Sequence, residues 1–372
     1  FRGPDYSGIK SFKTAKLNIA LGHNRLAILD LDARSNQPFS YNETLHIVFN
    51  GEIYNYLEIK KVLLAKGHKF KTTSDTEVIC AAYLEYGEDC VQHFNGMFAF
   101  VVFDEKKELF FGARDRLGQK PFYFFHKGTK FEFASQISAI MVGNRNLSVS
   151  HKAISNYMVW GYIPDPISIF SEVKKLPPGH SFVYKLDSGH FEEKKYWDID
   201  YKGKNSFPGS YAEAKEELEV LLTDAVQKRM IADVPLGIFL SGGIDSSLVA
   251  ALASKNTKHV KTFSVKFNTK SVDESQYALE VARHLGTDHH TIECNYEEGI
   301  NMIENFSQYY DEPFSDSSAI PSLILAKHTR KHVTVALSGD AGDESFLGYH
   351  RYQWMEIAEK FYKIPKVARA LM

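Results

Sequence analysis

A short loop rich in glycine and serine constrains the fold of this chain most strongly. The run Leu240-Ser241-Gly242-Gly243-Ile244-Asp245-Ser246-Ser247 follows an apolar segment, residues 234–240, and opens a predicted helix that continues through Leu252. The glycines let backbone N–H groups point into the loop, the helix N-terminus adds positive potential, and the serine hydroxyls add donors. The loop is therefore predicted to hold an anion such as phosphate. Asp245 within it predicts a cation, Mg²⁺, that bridges the phosphates.

The second half of the chain alternates predicted strands with predicted helices. This order is typical of a doubly wound parallel sheet, which binds ligands at the carboxyl ends of its strands. The predicted strands are residues 234–240, 260–267, 290–294 and 332–337, and the predicted helices are residues 211–230, 244–252, 274–285, 297–309 and 317–331.

A second polar loop follows the last of these predicted strands. It reads Leu337-Ser338-Gly339-Asp340-Ala341-Gly342-Asp343-Glu344. In a parallel sheet both loops leave from the same edge, so Asp245, Asp340, Asp343 and Glu344 are expected near one polyphosphate. Carboxylates that converge in this way repel one another unless cations intervene. The two loops together predict a site for a magnesium nucleotide.

The first half of the chain is predicted to form antiparallel sheets with two inserted helices. Its aromatic-rich runs, separated by Gly, Lys or Asp, are typical of strands. They are residues 45–49, 96–103, 109–112, 122–125 and 131–134, and the two predicted helices are residues 54–66 and 75–86. Periodicity is lost over residues 198–210, which we interpret as a linker between domains.

Three features of the first half describe a pocket for a free amino acid. Arg25 suits a substrate carboxylate, and Asp75, after Ser74, suits a substrate ammonium group. The Asn50-Gly51 pair after a predicted strand offers donors to an oxyanion. Each feature also has a structural explanation, since Asn-Gly is a common turn and Ser-Asp a common helix cap. In the same way, the two polar loops are also compatible with an ordinary strand–helix turn and a solvated acidic turn.

Composition excludes several classes of function. The 44 basic and 46 acidic side chains give a net charge of −2, without a block of like charge, which argues against a nucleic-acid partner. The longest apolar run, residues 97–103, is far shorter than the roughly 20 residues of a membrane span. Three cysteines without a CxxC pair suit a reducing cytosol, so a cytoplasmic location is expected. The chain begins at Phe1, without Met, and we interpret it as part of a longer protein.

Motifs along nearly the whole chain, in the right order, resemble glutamine-hydrolysing asparagine synthetases. The first half resembles the class II glutamine amidotransferase part of that family, and the second half resembles its ATP-pyrophosphatase-type synthetase part. The similar segments are Arg2-Gly3-Pro4-Asp5, Gly22-His23-Asn24-Arg25-Leu26, Asn50-Gly51-Glu52-Ile53-Tyr54-Asn55, Ser74-Asp75-Thr76-Glu77, Gly96-Met97-Phe98-Ala99-Phe100, Arg114-Asp115-Arg116-Leu117-Gly118, residues 241–247, Ser264-Val265, residues 284–290 and residues 338–349.

The resemblance implies an α/β protein with two catalytic domains. Residues 1–197 would form an αββα glutaminase domain of the Ntn-hydrolase type, and residues 211–372 a doubly wound parallel-sheet ATP-pyrophosphatase domain. The implied reaction adenylates the side-chain carboxylate of aspartate with ATP and Mg²⁺, releasing pyrophosphate. Ammonia from glutamine then crosses a tunnel and displaces AMP to give asparagine. The implied partners are therefore ATP, glutamine or ammonia, and aspartate, with a homodimer as the expected assembly.

The resemblance also implies roles for residues at matching positions. The implied glutamine-binding residues are Arg25, Leu26, Asn50, Gly51, Glu52 and Asp75, with Asn50 and the Gly51 N–H as the oxyanion hole. The implied ATP-binding residues are Phe239, Leu240, Ser241, Gly242, Gly243, Asp245, Ser246, Ser247, Val265, Ser338 and Gly339. Asp245 and Asp343 would bind magnesium, and Asp340 would be catalytic at the acyl-adenylate.

The chain departs from the family pattern at a few positions. The family's nucleophile is an N-terminal cysteine that lies upstream of the Arg-Gly-Pro-Asp motif. Cys80 and Cys90 do not match the position of that cysteine. This chain as written is therefore not expected to hydrolyse glutamine. Ala341 and Leu347 stand where the family usually has glycine.

Three other functions remain open from the sequence. The first is the same chemistry on another carboxylate, such as a sugar acid of a surface polysaccharide, which residues 311–319 favour. The second is a non-catalytic homologue that binds nucleotide. The third is a tRNA-modifying enzyme that shares the SGGxDS loop, against which the net charge argues.

Overall fold

The computed structural model describes residues 2–13, 17–144, 146–200, 207–255, 257, 259–267, 269 and 273–369. It divides into two compact units that do not follow chain order. Unit 1 comprises Phe1–Lys215, Ile231–Val234 and Ile300–Ile320, and unit 2 comprises Glu216–Met230, Pro235–Gly299 and Pro321–Met372. The first unit therefore takes two short segments from the second half of the sequence. Of the predicted linker, residues 201–206 lie outside the described residues.

The first 195 residues supply eleven antiparallel strands and four α-helices among the described residues. In chain order they are β1 (Tyr6–Lys13), β2 (Asn18–Arg25), β3 (Phe39–Tyr41), β4 (Leu45–Ile53), α1 (Tyr56–Ala65), α2 (Asp75–Tyr86), β5 (Gly96–Asp104), β6 (Leu109–Arg114), β7 (Tyr123–Lys127), β8 (Lys130–Ala134), α3 (Ile137–Gly143), α4 (His151–Trp160), β9 (Val173–Lys175), β10 (His180–Lys185) and β11 (Phe191–Lys195). The antiparallel strands and the two helices predicted for this half are present. The strands β1, β2, β3, β9, β10 and β11 and the helices α3 and α4 were not predicted.

Unit 1 is built around a six-stranded antiparallel sheet in the order β11-β10-β6-β5-β4-β3. Its central strand β5 is buried on both faces: Phe98, Phe100 and Val102 pack against the α1/α2 layer, while Ala99 and Val101 pack against the layer of β2 and β7. This two-sided burial explains the uninterrupted apolar run, since strand side chains alternate between faces. Sheet β8-β7-β9 and pair β1-β2 form the second β-layer, and α3 packs behind β7, so the predicted αββα order is confirmed.

Local signals fixed the ends of α2 correctly. The Ser74 hydroxyl accepts a hydrogen bond from the Thr76 N–H at 3.2 Å, and the helix ends at Gly87, whose φ is +62°. A serine N-cap at the start of a helix and a glycine just after its last turn are common at helix ends. The predicted end of the strand at residue 49 is wrong, because β4 continues to Ile53 and pairs with β5 along its whole length. Asn50 and Gly51 therefore lie within a strand.

The second half of the chain contributes four strands and nine helices among the described residues. They are α5 (Tyr211–Arg229), β12 (Leu236–Phe239), α6 (Ile244–Ser254), β13 (Lys261–Lys266), α7 (Ser275–Leu285), β14 (Asp288–Glu293), α8 (Tyr296–Glu304), α9 (Phe306–Tyr309), α10 (Ala319–Thr329), β15 (Val335–Leu337), α11 (Gly342–Phe346), α12 (His350–Tyr362) and α13 (Lys366–Arg369). The helix predicted over 297–309 is divided at Asn305.

The four strands of unit 2 form one parallel sheet in the order β14-β13-β12-β15. The chain builds outward from β12 through β13 to β14 and then returns to the opposite side of β12 to form β15. The order therefore reverses between β12 and β15, which makes this place the switch point of a doubly wound sheet. The predicted parallel sheet is confirmed. In the part of the chain described here, no helix is long and apolar enough to cross a membrane.

Candidate functional site

The loop after β12 is closed by its own serines. The Ser246 hydroxyl accepts a hydrogen bond from the Ser241 N–H at 3.2 Å, and the Ser241 hydroxyl accepts one from the Gly243 N–H at 3.2 Å. Gly242 has φ +87°, and a Cβ there would lie 2.6 Å from the Ala278 N atom, so no other residue fits. α6 then begins at Ile244 with its N-terminus at the loop. This is the strand–loop–helix geometry of an anion site.

One polar atom of this loop region is left over for a ligand. Ser247 Oγ is buried and has no hydrogen-bond partner among the described residues. A buried hydroxyl without a partner costs free energy, so its presence at this loop fits a site completed by an anion. The side chain of Leu240, in contrast, lies in the hydrophobic core of unit 2 and leaves only its backbone available to a nucleotide. Phe239 and Val265, on adjacent strands at the same edge, are half-buried.

The second polar loop lies directly against the first. β12 and β15 are parallel neighbours, with Ile238 opposite Leu337, so both loops leave from one edge of the sheet. A Cβ on Gly339 would lie 2.7 Å from the Ser246 N atom, and a Cβ on Gly342 would lie 2.5 Å from Asp245 Oδ2. Both glycines are needed for this close approach. The argument from the parallel sheet thus places the two loops correctly.

The acidic residues of the second loop differ in how they are held. Asp340 Oδ2 accepts a hydrogen bond from the Ser338 hydroxyl at 2.8 Å. Glu344 is held by the Tyr349 hydroxyl at 2.7 Å, which lowers the pKa of Glu344 and, with burial, raises the pKa of Tyr349 to about 12. Glu344 is therefore the least available of the predicted acids. Asp343 lies in the first turn of α11.

The donor set of this site fits magnesium only together with phosphate. Among the described residues there is no group of three or more His, Cys, Asp or Glu side chains placed to hold a metal ion. Asp245 and the loop that carries Asp343 are in contact through Gly342. Mg²⁺ commonly takes one or two carboxylates and completes its shell with phosphate oxygens and water. Two carboxylates beside an anion loop match that pattern.

In unit 1, the Arg25 guanidinium donates most of its hydrogen bonds within the protein, and this differs from the prediction that it binds a substrate carboxylate. Its Nη1 donates to the Asp32 carbonyl at 3.2 Å and to Asn36 Oδ1 at 2.8 Å, and its Nη2 donates to the Leu29 and Asp30 carbonyls at 3.0 and 2.5 Å. A guanidinium group has five donors. Only the Nε–H remains for a substrate carboxylate, so the two-pronged contact expected of an arginine is not available.

The acid pocket beside Arg25 is formed by Asp75 and Glu52. Asp75 is 4% exposed, and its Oδ2 accepts from the Ile53 N–H at 2.9 Å. Burial raises the pKa of Asp75 to about 6, against the opposing effect of the N–H groups of Ile53 and Thr76. Burial and the charge of Asp75 raise the pKa of Glu52 well above its usual range, opposed by Lys120 and Arg25. This pocket favours a cationic group such as an ammonium.

Lys120 and Asp233 lie within charge range of Glu52 and were missed by the sequence analysis. Burial lowers the pKa of Lys120. Lys120 lies two residues after the motif Arg114-Asp115-Arg116-Leu117-Gly118, and this was the only sign in the local sequence that Lys120 belongs to the pocket. Asp233 comes from the second half of the chain, so no local pattern identified it.

The predicted oxyanion residues lie on β4. Gly51 has φ +152°, and a Cβ there would lie 2.0 Å from the Met97 carbonyl oxygen, so the close pairing of β4 and β5 requires glycine. Asn50 Nδ2 donates to the Ser135 hydroxyl at 3.3 Å. Cys80 and Cys90 are fully buried, and burial raises the pKa of both thiols, so neither provides a nucleophilic thiolate.

The fold defines a class of protein that has, in one chain, an αββα domain of the amidotransferase type and a doubly wound parallel sheet of the nucleotide-binding type. Comparisons with known families agree with both halves. The family model for the glutamine amidotransferase domain matches residues 1–197, and the model for asparagine synthase matches residues 217–371. The chain belongs to the family of glutamine-hydrolysing asparagine synthetases.

Three curated relatives illustrate the extent of the similarity. A putative glutamine-hydrolysing asparagine synthetase 2 of Methanocaldococcus jannaschii is 39% identical over 393 residues, covering 100% of this chain and 74% of the relative. Asparagine synthetase 1 of Bacillus subtilis is 37% identical over 374 residues, covering 100% of this chain and 57% of the relative. Asparagine synthetase 3 of the same organism is 32% identical over 381 residues, covering 97% and 60%. The chain thus spans 57% to 74% of their lengths.

Proposed function

We propose that the protein makes asparagine from aspartate, using ATP to activate the acceptor and glutamine as the source of ammonia. The names of the relatives supply the product, asparagine, and the hydrolysis of glutamine. The observation that carries the proposal for this chain is the contact of its two polar loops, in which Gly339 and Gly342 lie against Ser246 and Asp245. That contact brings an anion loop and carboxylates to one edge, which is what a magnesium nucleotide requires.

The activation step would take place at this edge. An oxygen of the aspartate side chain attacks the α-phosphorus of ATP, the bond to the β-phosphate breaks, and pyrophosphate leaves with the bonding electrons. The N–H groups and hydroxyls of residues 241–247 stabilise charge on the departing pyrophosphate. Ser338 and Gly339 would face the α-phosphate. Bound Mg²⁺, held by Asp245 and Asp343, would neutralise part of that charge.

Amide formation would follow at the acyl-adenylate. Ammonia attacks the acyl carbon, AMP leaves with the electrons of the acyl–oxygen bond, and the nitrogen loses a proton to give the neutral amide. We assign Asp340 as the catalytic carboxylate at this intermediate. Its hydrogen bond from Ser338 orients the carboxylate within the second loop.

Glutamine would be recognised in unit 1. Asp75, with Glu52, would take the α-ammonium, and the Arg25 Nε–H, with Leu26 beside it, would take the α-carboxylate. Asn50 Nδ2 and the Gly51 N–H would stabilise the oxyanion formed when the side-chain amide is attacked. Of the described cysteines, neither Cys80 nor Cys90 provides the nucleophile. We further propose a cytoplasmic location, small molecules as the main partners, and a homodimer as the assembly.

The test is product formation by the full-length gene product. Ammonium and Mg-ATP are supplied with and without aspartate, and AMP, pyrophosphate and asparagine are measured. The proposal expects AMP release that depends on aspartate, with one asparagine for each AMP. Absence of aspartate-dependent AMP release in a protein that still binds ATP would refute it.

A further inference from the structure

A serine, a histidine and a glutamate form a hydrogen-bonded chain at one edge of unit 1. Ser40 Oγ lies 2.8 Å from His46 Nδ1, and His46 Nε2 lies 3.2 Å from Glu105 Oε1. Lys10 Nζ completes the group, at 2.6 Å from Ser40 Oγ and 3.2 Å from His46 Nδ1. These four residues, the Ser40 cluster, share no member with the proposed glutamine pocket.

The register of the six-stranded sheet places these side chains together. Ser40 on β3 is directly opposite His46 on β4, and His46 is directly opposite Phe103 on β5. Residues that are directly opposite in an antiparallel pair project from the same face of the sheet. Glu105 follows Phe103 by two residues, and its N–H donates to the Thr44 carbonyl at 3.0 Å, which holds it beside the start of β4. The order of hydroxyl, imidazole and carboxylate is therefore set by strand pairing.

The histidine of this cluster is buried, whereas the serine is accessible. His46 is 2% exposed, and its ring lies against the rings of Phe12 and Phe103, at centroid distances of 4.3 and 6.0 Å. Ser40 is exposed, on the strand at the edge of the six-stranded sheet. The cluster thus presents a hydroxyl to solvent in front of an imidazole that solvent barely reaches.

The hydrogen-bond partners of His46 assign its tautomer. Burial and the charge of Lys10 lower the pKa of His46 below its usual value of 6.5, and Glu105 opposes them. At neutral pH the ring is therefore uncharged. Its Nε2–H donates to the Glu105 carboxylate, which leaves Nδ1 as the acceptor for the Ser40 O–H. The Ser40 hydroxyl thus has a base in contact with its proton.

We propose that Ser40 is a nucleophilic serine that accepts an acyl group from an activated ester, with His46 as the general base. Ser40 Oγ attacks the carbonyl carbon of the ester while its proton passes to His46 Nδ1. The ester C–O bond then breaks, and the leaving alcohol or phenol takes the bonding electrons and the proton held by His46. Ser40 keeps the acyl group as an ester.

Lys10 and Glu105 support this step in different ways. The Lys10 ammonium, 2.6 Å from Ser40 Oγ, stabilises the negative charge that develops as the hydroxyl loses its proton. Glu105 is a positioning residue, because it fixes the His46 tautomer and stabilises the imidazolium that forms. The arrangement has the parts of a serine, histidine and acid triad, with the roles of the two ring nitrogens exchanged relative to the serine proteases. This activity is independent of the proposed asparagine synthesis.

The test treats the full-length gene product with p-nitrophenyl acetate and measures acetylation of each residue by peptide mass spectrometry from pH 5 to 9. The variants are Ser40→Ala, His46→Gln and Glu105→Gln, and thermal unfolding shows which of them are folded. Ser11→Ala is the matched control, because Ser11 is an exposed serine on β1 next to Lys10.

We expect Ser40 to be acetylated at least roughly tenfold faster than Ser11, at a rate that levels off near neutral pH once His46 is uncharged. An ordinary serine, whose alkoxide forms only at high pH, keeps gaining reactivity over the whole range. His46→Gln should slow acetylation of Ser40 about a hundredfold, the scale of general-base catalysis. Glu105→Gln should move the midpoint of the pH profile to lower pH, because the carboxylate raises the pKa of His46. Ser40→Ala should abolish the modification at this position, and Ser11→Ala should leave it unchanged.

The inference fails if Ser40 reacts no faster than Ser11, if Lys10 is acetylated in place of Ser40, or if a folded His46→Gln variant keeps the original rate. If His46→Gln does not fold, the pH profile of the original chain decides, since a rate that keeps rising to pH 9 contradicts His46 as the base. Acetylation is read from peptide masses, so failure of the proposed asparagine synthesis would leave this result unchanged.

Discussion

Replacing the buried Asp75 carboxylate is predicted to change protein stability and glutamine binding in opposite directions. Asp75 is 4% exposed, and burial raises its pKa from 3.8 to about 6. A shift of roughly 2 units corresponds to about 3 kcal/mol between the two protonation states. At neutral pH the ionised side chain therefore destabilises unit 1 by up to about 3 kcal/mol. Asp75→Asn removes that charge and keeps an acceptor for the Ile53 N–H.

The pH dependence follows from the direction of the shift. Because the folded-state pKa lies above the unfolded-state pKa, the folded protein holds its proton longer, and stability falls as pH rises from about 4 to 6. Below that window Asp75 is protonated in both states, and the Asn variant should match the original chain. Above it the variant should be more stable by the full amount. For a domain of about 200 residues, 1 kcal/mol corresponds to roughly 2–4 °C in Tm.

The assay is thermal unfolding of the Asp75→Asn variant and the original chain at pH 4, 6 and 8, together with glutamine binding by calorimetry at pH 8. We expect a gain of several degrees at pH 8 that vanishes by pH 4, and loss of glutamine binding because the ammonium loses its counter-charge. A variant with an unchanged or lower Tm at pH 8, or a gain of equal size at all three pH values, would refute the electrostatic argument. Retained glutamine affinity would refute the assignment of Asp75 to the ammonium.

Three further substitutions test other parts of the structure. Gly342→Ala places a Cβ 2.5 Å from the Asp245 carboxylate, so AMP formation should fall at least tenfold while the Tm stays within a few degrees. Ala341→Gly removes a side chain from a residue at φ +73° and should raise stability by up to about 1 kcal/mol in urea unfolding. Glu312→Ala breaks an ion pair with Lys175 in which both side chains are about one-tenth exposed, so stability should fall by about 3 kcal/mol. Replacing both partners of that pair with apolar residues should cost less than the single change.

Local sequence patterns predicted those parts of the fold that depend on local physics. The ends of α2 were correct because a serine cap and a terminal glycine act within one turn. The two polar loops were placed at one edge because parallel strands have a fixed direction. Asn50 and Gly51 were wrongly placed after the strand, because pairing with β5, more than 40 residues away in sequence, extends β4 past them. The hydrogen bonds that occupy the Arg25 guanidinium could not be predicted either. Their acceptors, such as Asn36 Oδ1, come close to Arg25 only when the loop after β2 is folded.

The two segments that cross from the second half of the sequence into unit 1 show why domain boundaries and compact bodies differ here. Residues 231–234 are held by backbone and carboxylate bonds of Asp233, and residues 300–320 by Glu312, which accepts from the Ile169 N–H at 2.7 Å and pairs with Lys175 at 2.6 Å. Along the chain, residues 231–234 are followed by β12, and residues 300–320 are followed by the rest of α10 and then β15. β12 and β15 are also the two strands whose following loops approach each other at Gly339 and Gly342. The match to asparagine synthase over residues 217–371 thus includes two segments that fold with unit 1, so the boundary between sequence families and the boundary between compact units fall at different places.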